Sequence, residues 1–371
     1  MPLNFMEKKR IHLGISAINF GYGPTSKALG IIKELEKRAS ITWDVFCRGV
    51  SQEYFEKELP LIPGIGYRIH DQSEADYAKF CSALDGFIIA ADDGAICEHV
   101  SKYCDIFFVD GLGFMWRERD LHNALRSAKR YYALNILGAF ENLKTLDIAN
   151  LRKIEPILQL EGEAAAASYE TIVHLGGMYV PFSSDTSSLY AKTLAKIIQS
   201  VSGSYTVLIS KYGRERFNHE LQGLPLQTVS QANVIGLYKQ ANCVMTLTGP
   251  TTVIEIANLR RPCIPLIAQN YSQVLTVRNL VQNYGQEVSD SWKFLNEAYQ
   301  GIAAFLPEHE GVAAIGRLNE TLLRDPMFIG GFCEIVESEL ISKPQLPKEL
   351  HVTKAGAAQI ADDIISTLST A

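Results

Sequence analysis

The chain has 371 residues, 47% of them hydrophobic and 20% charged, which excludes intrinsic disorder and allows two ordinary cores without disulfide staples. Its 35 basic and 41 acidic residues leave a net charge of −6, which argues against a nucleic-acid partner. No apolar run reaches the roughly 20 residues that span a bilayer, no signal-peptide pattern precedes the first apolar run, and the seven cysteines lack C-x-x-C spacing. A cytoplasmic protein with buried reduced thiols and no membrane partner is expected.

In chain order, Ile11 to Ala17 reads as a buried strand. A glycine loop, Asn19 to Ser26, follows, and Ala28, Leu29, Ile31, Ile32 and Leu35 then share one face of a helix predicted over Lys27–Arg38. Ile41 to Cys47 is a second strand, so the chain opens on a strand-helix-strand unit, which favours a parallel sheet with a right-handed crossover. Gly86–Ala91, Asp105–Val109 and Arg130–Leu134 are short, continuous apolar runs, as strands covered on both faces are. The first two end in Asp92-Asp93-Gly94 and Asp110-Gly111-Leu112-Gly113.

The pattern breaks at a low-complexity stretch, Glu161–Ala167, and restarts at Thr171–Leu175, which leads into Gly176-Gly177. A helix is predicted over Leu189–Val201, a strand over Tyr205–Ser210, a short strand at Asn233–Ile235 and a short helix at Leu237–Ala241. Cys243–Leu247 is a strand, Thr248-Gly249-Pro250-Thr251-Thr252 opens a helix over Val253–Leu259, and Pro262–Ile267 is the next strand. A last helix, Ala357–Leu368, can pack on either half, and its Asp362-Asp363 pair reads as a solvated face. The expectation is α/β: two facing, Rossmann-like doubly wound domains, 1–160 and 161–371, with an interdomain cleft at the carboxyl ends of their sheets.

Two glycine loops carry the chemistry. Gly21-Tyr22-Gly23-Pro24-Thr25-Ser26 lies between strand and helix, with Pro24 suited to the first helical turn. It is neither a dinucleotide fingerprint, since position 26 is Ser26, nor a P-loop; a tight strand-helix turn explains it equally well. In the second loop, Gly249, Thr251 and Thr252 place small groups and N–H donors at a helix start, which suits a diphosphate. Glu255, one turn beyond Thr252, is within reach of ribose hydroxyls, or else is a carboxylate near the helix start.

The segment from Leu237 to Ala257, continued by Arg261-Pro262-Cys263-Ile264-Pro265-Leu266-Ile267-Ala268-Gln269-Asn270-Tyr271-Ser272-Gln273, resembles the nucleotide-sugar motif of GT-B glycosyltransferases. The resemblance is strongest over 237–275, moderate at 11–38 and 171–178, and poor at 280–350. It implies that Glu255 holds the ribose, that Gly249, Pro250, Thr251 and Thr252 hold the diphosphate with Gly176 and Gly177 nearby, and that Asn270 and Gln273 face the donor sugar. Many members carry a histidine in the first loop as base, where this chain has Tyr22. The stretches Asn19–Leu29 and Gln269–Gln273 are similar to cytosylglucuronate synthases of nucleoside-antibiotic biosynthesis, which join glucuronic acid from UDP-glucuronate to N1 of cytosine or hydroxymethylcytosine.

The expected reaction is therefore metal-independent, inverting transfer from a UDP-sugar to a small planar acceptor, without a cofactor, since N–H donors and a cation can stabilise the leaving group. The adjacent Asp pairs lack D-x-D spacing, and no metal site is expected. Asp93 and Asp110, at strand ends, are the candidate bases alongside Tyr22. Lys27, Lys211 and Arg278 are candidate cations, Lys211 the best placed. Gly21, Gly23 and Trp116 are candidate acceptor contacts, Trp116 by stacking. His174, inside a strand pattern, reads as core. A UDP-sugar 2-epimerase of the same fold, a transferase for another small acceptor and a non-catalytic nucleotide-binding protein are the alternatives; a homodimer is left open.

Overall fold

The computed structural model describes residues 10–19, 21–72, 76–91, 95–117, 121, 123–162, 169–176, 178, 187–353 and 355–370. The chain divides into two compact units, Met1–Ile157 with Thr353–Ala371, and Leu158–Val352.

The first unit runs β1 (Arg10–Ala17), α1 (Gly23–Glu36), β2 (Ser40–Cys47), α2 (Gly49–Glu58), β3 (Gly66–Asp71), α3 (Tyr77–Cys81), β4 (Gly86–Ala90), α4 (Ala95–Val100), β5 (Ile106–Asp110), α5 (Asn123–Arg126), β6 (Arg130–Leu134), α6 (Ala139–Leu143) and β7 (Leu151–Ile154). The strands are parallel in the order β3-β2-β1-β4-β5-β6-β7. β4 and β5 are buried along their whole length, as their unbroken apolar runs require. The outer strands β3 and β7 carry Tyr67, Arg68 and His70, and Arg152 and Lys153; such mixed edge strands lack the apolar signal that marks the centre. α1 starts four residues before its predicted first residue, because Pro24 sets the helical φ at the first turn and Ser26 N–H already donates to Tyr22 O. The order of strands reverses between β1 and β4, where a doubly wound sheet opens its ligand crevice.

One polar cluster interrupts a face of this sheet. The buried Asp44 carboxylate accepts from His12 Nε2 at 2.7 Å, His70 Nε2 at 2.8 Å and Arg68 Nε and Nη2 at 2.9 Å each. Register explains the meeting: Asp44 pairs with Gly14 on one side and Arg68 on the other, so alternate residues of three strands share the face.

The second unit runs β8 (Thr171–Gly176), α7 (Ser187–Gln199), β9 (Tyr205–Ile209), α8 (Lys211–Arg216), β10 (Leu226–Gln227), α9 (Gln231–Gln240), β11 (Cys243–Thr246), α10 (Pro250–Asn258) and β12 (Cys263–Pro265), then α11 (Tyr271–Tyr284), α12 (Asp290–Ala298), α13 (Glu308–Leu322) and α14 (Pro326–Ser342). Its parallel strands follow the order β10-β9-β8-β11-β12, with the reversal between β8 and β11. Asn233–Ile235, expected as a strand, lies inside α9: the Ser230 side chain caps the helix at Asn233 N–H, and the apolar run becomes its buried side.

The closing helix α15 (Gly356–Ser369) packs on α1 in the first unit. Of its Asp362-Asp363 pair, Asp362 is solvent-exposed as expected and Asp363 is half-buried, and both are engaged in ion pairs. Asp362 takes Arg38 Nε at 2.6 Å, and Asp363 takes Arg130 Nε at 2.9 Å and the Tyr132 hydroxyl at 2.7 Å. The cysteines form no disulfide; five are buried, and Cys104 and Cys333 are partly exposed. No helix among the described residues is long and apolar enough to cross a membrane.

Candidate functional site

In the second unit, the predicted donor residues gather on the loops that leave β8, β9, β11 and β12. β8 ends in Gly176, whose φ of +57° is a conformation that suits glycine, and a Cβ there would have nothing within 4 Å. Ser210 N–H donates to Gly176 O at 3.0 Å, which ties the loop after β9 to this turn. Gly177 lies outside the described residues. Lys211 opens α8 beside this tie; its side chain is exposed and stands 4.0 Å from Glu215.

Gly249 caps α10 and Pro250 begins it, so the first-turn N–H groups of Thr251 and Thr252 point toward the loop edge, with no acidic residue in that turn. A Cβ on Gly249 would also meet open space. Glu255 is not a cap. It lies more than a turn into α10, is 3% exposed, and accepts the Gln159 N–H at 3.4 Å. His174 is partly buried in β8: desolvation pushes its pKa down to about 4, and its Nδ1 is hydrogen-bonded to the Tyr238 hydroxyl.

Asn270 and Gln273 are held with their oxygens turned inward. Asn270 caps α11: its Oδ1 accepts Gln273 N–H at 3.0 Å and the Ser272 hydroxyl at 2.9 Å. Gln273 Oε1 accepts Gln269 N–H at 2.8 Å. A backbone N–H can be met only by an oxygen, so neither amide can be flipped. Among the described residues, Asn270 Nδ2 and Gln273 Nε2 make no hydrogen bond. Thr248 Oγ1 donates to Gln273 O at 3.1 Å, which fastens this turn to the α10 loop.

Sequence reasoning missed the residues that hold this loop. The Tyr190 hydroxyl donates to Ile267 O at 2.6 Å, Ala268 N–H to the Tyr299 hydroxyl at 2.7 Å, and Asn319 Nδ2 to Ala268 O at 2.9 Å. They come from α7, the end of α12 and α13, and only folding brings them to one turn. Arg278, a candidate cation, instead donates to Tyr299 O.

In the first unit, Gly21 adopts φ +66° with no atom within 4 Å of a Cβ, and Tyr22 caps α1. The Tyr22 hydroxyl donates to Glu53 Oε1 at 3.0 Å, and its ring lies 5.2 Å from that of Tyr54. Lys27 is buried; its Nζ is 3.4 Å from Gly23 O and lies against Gly111.

Asp110 is 1% exposed and takes three hydrogen bonds. Oδ1 accepts Leu112 N–H at 2.7 Å, and Oδ2 accepts Trp116 Nε1–H at 2.8 Å and the Tyr131 hydroxyl at 2.6 Å. Burial raises its pKa, offset in part by those three donors and the charge of Lys27. This geometry makes Asp110 an anchor of the loop after β5, not an open base. It also fixes Trp116, whose carbonyl accepts Asn142 Nδ2 at 2.8 Å. Asp93 lies outside the described residues.

No protein-family model and no curated protein matches the chain. Solved structures match over nearly its whole length. LpCGTa, crystallised with UDP, is 10% identical, covering 97% of this chain and 99% of that one at a TM-score of 0.52. UGT89C1 of Arabidopsis thaliana is 11% identical in its complex with UDP-L-rhamnose, covering 90% and 99% at 0.51. Its complex with UDP is 12% identical, covering 90% and 100% at 0.50. At such identity the likeness is one of fold, and the fold is α/β of the GT-B class.

Proposed function

We propose that the chain is a glycosyltransferase that takes a UDP-sugar at the second unit and a small planar acceptor at the first. In its sharper form it transfers glucuronic acid from UDP-glucuronate to N1 of cytosine or hydroxymethylcytosine, with inversion, in the cytoplasm. The fold, shared with proteins crystallised with UDP and UDP-L-rhamnose, supports the donor class. Under this reading the first-turn N–H groups of Thr251 and Thr252, behind the Gly249-Pro250 turn, and the Lys211 ammonium meet the diphosphate, Gly176 gives it room and Glu255 holds the ribose. Gly21, Gly23 and Trp116 border the acceptor.

The observation that carries the glucuronate assignment is the locked pair of amides. With its carbonyl oxygen bound to Gln273 N–H and the Ser272 hydroxyl, Asn270 offers a ligand only N–H donors, and Gln273 adds an Nε2 donor while its Oε1 accepts Gln269 N–H. A sugar hydroxyl both donates and accepts, whereas a carboxylate only accepts. A donor-only Asn270 therefore suits an oxidised sugar.

Incubation with UDP-glucuronate and cytosine is expected to yield UDP and a cytosine conjugate, read by mass spectrometry; a new UDP-sugar isomer would instead mark an epimerase. Asn270→Asp preserves the helix cap but replaces the amide donor with a second oxygen. We expect it to lower kcat/KM for UDP-glucuronate about 100-fold relative to UDP-glucose, on the order of one well-oriented charged hydrogen bond. An unchanged ratio refutes the assignment.

A further inference from the structure

The loop after β1 and the first turns of α2 form one fastened piece at the carboxyl edge of the first sheet. Asn19 Oδ1 accepts Val50 N–H at 2.9 Å, and the Ser51 hydroxyl donates to Ile18 O at 3.0 Å. Gly49, at φ +57°, lets Asn19 lie so close that a Cβ would fall 2.6 Å from its Nδ2. These ties present Glu53, one turn further along α2, to the Tyr22 hydroxyl at 3.0 Å. The pair stands beside Gly21, where a Cβ would meet open space, and at the reversal of strand order between β1 and β4. It is only partly buried, whereas Asp110, the described carboxylate at the end of β5, is sealed by three donors.

We propose that Glu53, reached through the Tyr22 hydroxyl, is the proton acceptor of the transfer; the assignment rests on the transferase reading above. A phenol that donates to a carboxylate keeps its oxygen lone pairs as an acceptor. As the acceptor's heteroatom attacks the anomeric carbon, its proton passes to the Tyr22 oxygen and the Tyr22 proton passes to Glu53. The bond from the anomeric carbon to the diphosphate oxygen breaks, and its electron pair leaves with UDP. Glu53 then returns the proton to solvent. Tyr22 is the catalytic residue that touches the acceptor, and Glu53 acts through it.

The test is steady-state transfer from UDP-glucuronate to cytosine and hydroxymethylcytosine by wild type, Glu53→Gln, Glu53→Asp and Tyr22→Phe, with UDP affinity and Tm measured for each. Glu53→Gln and Tyr22→Phe are expected to lower kcat about 100-fold or more while KM for UDP-glucuronate and UDP affinity stay within threefold. The acid limb of the wild-type kcat/KM profile should disappear in Glu53→Gln, and Glu53→Asp should restore part of the rate. Among the described residues, the Tyr54 ring on α2 lies 5.2 Å from that of Tyr22, Glu56 follows Glu53 on α2, and Lys27 follows Tyr22 on α1; none of them is altered in these variants. If Glu53→Gln fails to fold, Tyr22→Phe, which deletes one hydroxyl, carries the same expectation. A wild type that turns over while both variants keep kcat within threefold overturns this assignment alone. A wild type that transfers to neither base overturns the sharper transferase reading and this assignment with it.

Discussion

Asp44 shows how one carboxylate can organise three strands. Burial raises its pKa, but the hydrogen bonds from His70, Arg68 and His12 outweigh that, so the net shift is below 3.8. A depressed folded pKa adds stability above the unfolded value and loses it as pH falls through the folded one. Asp44→Asn leaves Arg68 without its anion and is expected to cost about 2 kcal/mol in urea unfolding at pH 7, less than a fully buried pair because Arg68 is largely exposed. His174 acts in a different window. Between 6.5 and about 4 the unfolded chain binds a proton that the native state refuses, so stability falls as pH drops across that range, by at most about 3 kcal/mol. Urea midpoints at pH 7 and pH 4.5 should separate by less in His174→Gln than in wild type. The meeting of His12 with Asp44, 32 positions apart, was not legible in the sequence, because a strand pattern shows which residues alternate but not which strand lies alongside.

At the scale of elements, the closing helix depends on a glycine. A Cβ on Gly356 would fall 1.9 Å from the Glu155 carbonyl oxygen, just after β7, where Glu155 N–H also donates to Gln359 Oε1 at 2.9 Å. Backbone cannot yield as a flexible side chain can. Gly356→Ala is therefore expected to destabilise the first unit by about 1–3 kcal/mol, the usual range for overpacking, although alanine favours helix. Denaturation followed by Trp43 fluorescence checks it; a neutral or stabilising result would show that the helix shifts without cost. The amphipathic stripe of α15 was visible in the sequence, with Ala357, Ile360, Ala361, Ile364 and Leu368 buried as spacing predicts. Its partner, α1, lies more than 300 residues earlier, and no local pattern names it.

For the whole molecule, the net charge of −6 means that an anionic donor is not drawn in by the overall field. Under the proposed function, the N–H groups of α10 and a few local cations supply the donor binding. UDP at 100 times its Kd is expected to stabilise the second unit by about 2.7 kcal/mol. Glu255→Ala should weaken that binding and shrink the shift, read by calorimetry and thermal unfolding; unchanged UDP affinity would remove Glu255 from the ribose. Because the first unit contains none of the proposed donor residues, Gly356→Ala should leave UDP affinity intact.

Although α1 and α10 begin a few residues before the starts their apolar patterns show, the sequence by itself determined two successive strand-helix patterns, their central strands, the two glycine loops and the fit of Pro24 to a first helical turn. These are local properties: apolar period, turn chemistry and fixed φ. The tertiary structure alone decided that Asp110 is sealed, that Tyr22 meets Glu53 and that the Asn270 carbonyl oxygen is taken by two donors. It also brought Tyr190, Tyr299 and Asn319 to one loop. Each of these turns on which lone pairs and N–H groups are already taken, often by a residue far along the chain, and hydrogen bonding of that kind leaves no period in the sequence.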